Sequence, residues 1–177
     1  MQKQIRKIAL GGGCHWCTEG VFVSLVGVTK VEQGWVSSKP PCDAFSEAVI
    51  VHYDPKLITT EDLISVHLET HASTKAHDLR HKYRSAVYAF SRADEETFTK
   101  ILDRLAKELS EPIVTKIYPF VAFKPSLPEH QDYYRTDPER PFCQRFISPK
   151  LAKLRQQRPE LLYPRLQSEG LREETSN

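Results

Sequence analysis

Between positions 5 and 25 an apolar run, residues 5–10, passes through Gly11-Gly12-Gly13 to a cysteine, Cys14. Helical spacing follows at Val21, Phe22 and Leu25. The pattern predicts a strand, a sharp glycine turn and a helix, with Cys14 where the helix begins. A helix N-terminus presents N–H groups without intrahelical partners and about half a positive charge. Both favour thiolate over thiol, and the thiolate is the nucleophile. Glycines allow a tight turn and let another molecule approach the backbone closely. Cys14 is therefore read as a catalytic nucleophile. The bland alternative is that Cys14 and Cys17 are small buried hydrophobes.

The remaining chain extends this start into an α+β pattern. Residues 27–37 read as a twisted strand carrying Val28, Val31 and Trp35, and Pro40-Pro41 makes 37–43 a loop. Residues 46–53 form a strong strand ended by Asp54-Pro55. Thr59 offers an N-cap with Asp62 at the third helical position, and the helix runs to about His71 with Leu63, Ile64, His67, Leu68 and His71 inward. Residues 85–90 are a strand. Ser91 caps a helix with Phe98, Ile101, Leu102, Leu105 and Leu109 on one face. Residues 113–118 are a further strand, which 121–123 extends or pairs with. A helical turn is expected at 129–134, and Ser148-Pro149 reads as the cap and first position of a last helix ending near Gln157.

The order β-α-β-β-α-β-α-β suggests a two-layer α+β fold. Its sheet is mixed or antiparallel, and a ferredoxin-like, split βαβ arrangement fits it. One domain is expected over 1–157. Residues 158–177 are charged and aperiodic and read as a loosely docked or disordered tail.

Charge and cysteine usage narrow the function classes. The 25 Lys and Arg nearly balance 23 Asp and Glu, leaving +2 and no basic stripe, which argues against a nucleic-acid partner. No apolar run approaches the roughly 20 residues of a membrane span, so no membrane partner is expected. Four cysteines are too few for a disulfide scaffold, and no secretory h-region stands at the start. A cytoplasmic monomer with reduced, redox-active thiols is the expectation.

Several groups carry possible chemistry. Cys14-x-x-Cys17 brings two thiols within reach of a disulfide, so Cys17 is a candidate to resolve an oxidised Cys14. The rival is a zinc half-site, with His15 adding a ligand type, but there is no second Cys-x-x-Cys. His67 and His71 have chelating spacing and lie on an apolar helix face, with His77 and His81 beyond. They are read as core histidines with hydrogen-bond partners, and no metal is expected. Glu47 sits at the mouth of an apolar strand, where partial desolvation would raise its pKa and suit it to act as an acid. Taken alone it is a solvated strand end, and residues 77–85 are a charged surface loop.

Four stretches, in order, resemble one family. Gly11-Gly12-Gly13-Cys14-His15-Trp16-Cys17-Thr18-Glu19 resembles the glycine-cysteine-phenylalanine-tryptophan signature of the peptide methionine sulfoxide reductase A (MsrA) family. Glu47-Ala48-Val49 with Tyr53-Asp54-Pro55, then Asp78 with Tyr83-Arg84-Ser85-Ala86, then Glu129-His130-Gln131-Asp132-Tyr133 are similar to its later motifs. The resemblance covers roughly residues 5–155 and implies an MsrA-type fold. It implies that Cys14 attacks a methionine-S-sulfoxide and becomes a sulfenic acid. Glu47 matches the acid for the sulfoxide oxygen, Tyr83 a hydroxyl on the same oxygen, and Asp78 a residue ordering this network. His15, Trp16 and Trp35 match the substrate wall. Cys143 matches a resolving position, with Cys17 next and Cys42 third. A thioredoxin-like dithiol is the implied reductant, with no bound cofactor.

Departures from the family cluster at the pocket. The family's phenylalanine after the nucleophile is His15 here, and the loop between Trp35 and Glu47 is short and lacks one family tyrosine. Two other classes remain open at this level. One is a thiol-disulfide or redox-sensing protein using Cys14-x-x-Cys17 without a sulfoxide. The other is a zinc or binding module.

Overall fold

The apolar run at 46–53 is buried on both faces because it lies inside a six-stranded sheet. In the computed structural model, which describes residues 4–76 and 78–167, the strands are β1 (Arg6–Gly11), β2 (Val28–Ser37), β3 (Ser46–Tyr53), β4 (Ala86–Ala89), β5 (Lys116–Pro119) and β6 (Ala122–Pro125). Their order is β5-β4-β1-β3-β2-β6. β4 and β5 pair parallel, and all other neighbours pair antiparallel. The helices are α1 (His15–Phe22), α2 (Thr60–Thr70), α3 (Arg92–Lys107), α4 (Tyr133–Thr136), α5 (Ser148–Gln157) and α6 (Pro164–Gln167). The segment from β1 to β4 is a βαββαβ unit with strand order 4-1-3-2, the split βαβ arrangement.

Local signals account for most boundaries. Thr59 and Asp62 close a reciprocal capping box at the start of α2. The Ser91 side chain accepts from the Asp94 N–H at the start of α3, and Phe98, Ile101, Leu102 and Leu105 are buried beneath it. Leu109, expected on that face, lies past the helix end and is exposed. One sheet face, through Ile8, Leu10, Val49, Val51 and Val87, shares its core with residues of α1, α2, α3 and α5. The other carries a smaller cluster of Ala9, Val36, Ala48, Ile50, Ala86 and Tyr88, with Phe123 against it.

Three expectations change. The segment 121–123 does not join the preceding strand. β6 crosses to the opposite sheet edge and pairs with β2, Phe123 facing Val36 in register. Ser148 is not an N-cap: helical residues run from 141 to 157, with a π turn at Cys143–Ile147, so the helix starts at Pro141. Residues 158–167 are not a loose tail. Leu161, Leu162 and Leu166 are buried, the Val26 N–H donates to Leu161 O at 2.7 Å, and Arg158 pairs with Asp62 at 2.9 Å. Leucines without helical period still bury when a ready apolar surface meets them. The rest of the expected tail, 168–177, lies outside the described residues.

Candidate active site

The topology brings three chain segments to one end of the sheet. Gly11 ends β1 and sits in register between Ala48 on β3 and Ala86 on β4. Because these pairs are antiparallel, the exit of β1 meets the entries of β3 and β4. Cys14, Glu47 and Tyr83 follow from that geometry. The glycines have separate reasons. A Cβ on Gly11 would sit 3.0 Å from the carbonyls of Arg84 and Glu47, one on Gly12 would run into the His71 ring, and beside Gly13 there is open space.

Arg80 locks the glycine turn to the neighbouring loop. Its Nη1 donates to Gly12 O at 2.9 Å and to Tyr83 O at 3.0 Å, while Nε and Nη2 donate to Lys75 O. The loop is also tied to β3: the Glu47 N–H and the Ser46 hydroxyl both donate to Lys82 O, at 3.1 and 2.9 Å. The polar stretch that alone resembled a surface loop is thus held against the site. Asp78 opens the 3-10 turn Asp78–His81, but its side chain, like all of His77, lies outside what the structure describes.

Cys14 occupies the N-cap of α1 and is half-buried. Its pKa is lowered to about 7. The largest cause is a hydrogen bond from the Cys17 thiol, followed by burial acting upward and the N–H groups of Trp16 and Cys17 acting downward. The neutral thiol closes no cap bond, yet these N–H groups lie close enough to favour the anion. Cys17 is correspondingly pushed up, first because it donates to Cys14 and second by burial. Alkylation of Cys14 by iodoacetamide is expected to accelerate through a midpoint near pH 7, because the thiolate fraction rises with pH. Rate against pH, with Cys17→Ser and Cys143→Ser backgrounds to assign the thiol, checks this.

Glu47 is almost fully buried, and burial raises its pKa, opposed by the Lys82 charge and by the Tyr83 hydroxyl. The Tyr83 hydroxyl lies close enough to favour the Glu47 anion, while Glu47 Oε2 is buried with no partner. His15, expected on a substrate wall, is turned inward and only 5 % exposed. Its Nδ1 lies 2.7 Å from Gly34 O and its Nε2 lies 3.3 Å from Glu47 Oε1. Trp35, opposite Glu47 in the β2–β3 register, meets the His15 ring edge-on at 5.1 Å.

The late motif forms the other wall. Trp16 stacks on Tyr133 with centroids 4.3 Å apart at 11°, and Phe142 and His130 meet it edge-on. Sequence reasoning did not give Tyr133 a role, although it closes the motif that begins at Glu129. The anchor is Glu19: its buried carboxylate accepts from the N–H groups of Asp132 and Tyr133, both at 3.0 Å, and from Gln33 Nε2 at 3.1 Å. Gln131 completes the docking, its amide bonding both the N–H and the C=O of Gln33. Glu19→Ala leaves two part-buried N–H groups and the buried Gln33 amide without this partner and is expected to cost about 3 kcal/mol. Urea unfolding measures the loss, and earlier proteolysis within 128–140 would mark the undocked segment.

The other thiols lie in different places. Cys143 is fully buried on the π turn against α1 and acts on Cys17 electrostatically. Cys42 contacts Tyr118, among the aromatics that pack on the sheet's other face. All four cysteines are free. A cavity of about 200 Å³ is lined by Gly13, Cys14, Cys17, Phe146 and Lys150, and Lys150 favours the anions of both thiols. A larger hollow, about 880 Å³, runs between the start of α3 and Phe120 and includes none of these groups. His67 donates to Gly11 O at 2.7 Å, and His71 bonds His67 O and, at 2.7 Å, Ser85 Oγ. Both are packing residues with backbone partners.

The family model described as peptide methionine sulfoxide reductase matches residues 6–161. The chain belongs to the peptide methionine sulfoxide reductase family. Among its relatives, the MsrA of Deinococcus radiodurans is 37% identical over 161 residues, 82% of this chain and 78% of that one. Among solved structures, methionine sulfoxide reductase A of Corynebacterium diphtheriae superposes with a TM-score of 0.66 at 26% identity, covering 77% of each chain. Mxr1 of Saccharomyces cerevisiae, solved in complex with Trx2, gives 0.57 at 26% identity over 73% of this chain and 84% of that one. These family members share the two-layer α+β fold expected from the order of elements. Among the described residues no helix is long and apolar enough to cross a membrane.

Proposed function

We infer that this chain reduces methionine-S-sulfoxide through a cysteine sulfenic acid. The observation that carries the reading is a half-buried cysteine at a helix start, with its pKa lowered to about 7, at the same sheet end as a buried carboxyl whose pKa is raised. Family membership supports it. The Cys14 thiolate attacks the sulfoxide sulfur while Glu47 gives its proton to the sulfoxide oxygen. The oxygen passes to Cys14 as S–OH, the thioether leaves, and Glu47 is left a carboxylate. The cysteine sulfur is oxidised by two electrons and the sulfoxide is reduced by two. Tyr83 donates a hydrogen bond to the same oxygen, and Asp78 orders this polar group. Trp16 and Trp35 supply the apolar wall for the methyl group.

A second thiol then attacks the sulfenic sulfur, loses its proton, and expels water as the disulfide forms. Cys17 takes this step, supported by its closeness to Cys14, whose thiolate it favours more than any other group, and Cys143 lies near enough to act on Cys17 and to receive the disulfide by exchange. A thioredoxin-like dithiol reduces the product, supported by the Mxr1–Trx2 complex among the neighbours. The enzyme works as a monomer in a reducing, cytoplasmic setting without a bound cofactor. The alternative of thiol-disulfide exchange alone gives no role to Glu47 or to the family's fold. Incubation with the S and R epimers of methionine sulfoxide and dithiothreitol tests the reading. Consumption of the S epimer is expected, and no turnover of either epimer overturns it.

A further inference from the structure

His15 is a buried imidazole set between a backbone carbonyl and a buried carboxyl, and its two nitrogens have different obligations. A carbonyl oxygen only accepts, so the 2.7 Å contact with Gly34 O puts a proton on Nδ1. In the neutral ring Nε2 then carries a lone pair, and Glu47 Oε1 lies 3.3 Å from it. A lone pair facing a carboxylate makes no hydrogen bond, whereas a lone pair facing a carboxyl O–H does. Resting on the sulfoxide-reductase reading above, we propose that His15 is a positioning residue for Glu47: its Nε2 accepts the Glu47 Oε1–H and keeps that group in its proton-donating form.

The surroundings favour this neutral pair over an imidazolium–carboxylate pair. His15 is 5 % and Glu47 8 % exposed. Glu47 Oε2 is buried without a partner, tolerable for a carboxyl C=O and costly for an oxygen sharing a charge. Burial lowers the His15 pKa, opposed by its bond to Gly34 O and helped by the charges of His130 and Lys82, and burial raises that of Glu47. Lys82 and Tyr83, from the loop before β4, oppose this at Glu47, but the Lys82 ammonium is in solvent, where its field is screened. Trp16 and Trp35, the other rings beside His15, are uncharged. The last facing group, Cys14, gains from the arrangement, because an ionised Glu47 raises its pKa. When a sulfoxide enters, the Oε1–H turns from Nε2 to the sulfoxide oxygen, and once that proton is transferred Nε2 faces a carboxylate with no proton between them. That repulsion drives uptake of a new proton from solvent.

Two measurements test this. The first is ¹⁵N NMR of histidine-labelled, unmutated protein at pH 7. An Nδ1–H, Nε2-unprotonated His15 is expected, and an Nε2–H tautomer or an imidazolium overturns the proposal. The second is the Cys14 pKa from alkylation rates in the wild type, His15→Phe, Glu47→Gln and the double variant. His15→Phe is expected to raise it by about half a unit when Glu47 is present and to leave it unchanged in Glu47→Gln. Equal shifts in both backgrounds overturn the proposal. In His15→Phe the alkaline limb of S-sulfoxide reduction is also expected to move to lower pH, and an unmoved limb counts against the role. If the wild type reduces neither epimer, the proposed function fails, while the NMR and alkylation results still decide His15.

Discussion

Glu47→Gln is expected to slow formation of the Cys14 sulfenic acid by about 10²–10⁴-fold, the usual worth of a positioned general acid. Sulfoxide oxygen is a poor leaving group until protonated, and a glutamine amide has no proton acidic enough to give. The variant keeps the shape of the buried side chain, so unfolding should change little. Iodoacetamide should react with Cys14 as fast as in the wild type or faster, because a glutamine never carries the charge by which an ionised Glu47 raises its pKa. Single-turnover reduction of the S epimer at pH 7, followed by quench and product analysis, reads the first effect, and thiol alkylation reads the second. A silent Glu47→Gln would point to thiol-disulfide exchange without a sulfoxide.

Cys14→Ser should abolish reduction outright. A serine hydroxyl at the same helix start remains protonated at neutral pH, since the Cys17 thiol and the N–H groups that together bring a thiol to about 7 act on an alcohol many units less acidic. Oxygen also cannot hold the transferred oxygen as a sulfenic acid. The loss should be complete even under a large excess of dithiothreitol. Cys17→Ser should instead permit one oxygen transfer per molecule, leaving the sulfenic acid to be trapped by a dimedone-type probe. If Cys14→Ser retained turnover, the nucleophile would lie elsewhere.

The local reading was strong where one residue answers to its near neighbours. The capping box of Thr59 and Asp62, the Ser91 cap and the span of β3 were legible because short-range hydrogen bonds set the caps and a continuous apolar run, bounded by Asp54-Pro55, set the strand. The partners of β6 were not, because strand pairing is decided by which edge is free, and β2 offered one. The helix start at 141 rather than 148 was hidden because Ser148-Pro149 satisfies a cap pattern without being one. Residues 158–167 looked like a tail for lack of period, yet three leucines bury there on surface supplied by other elements.

The site divides in the same way. Glycines, Cys14 and helical spacing within one short stretch determined that a thiol stands at a helix start, where the helix N-terminus acts on the residue that caps it. Tertiary structure alone decided what faces that residue. It drew Lys82 and Tyr83 onto Glu47 through Ser46 and Arg80, and stacked Tyr133 on Trp16 through the buried Glu19. It turned His15, expected on a substrate wall, toward Gly34 and Glu47. Side-chain direction near the start of a short helix depends on the strand beneath it. Whether an imidazole there meets solvent or a carboxyl is fixed only when β2 and β3 are in register.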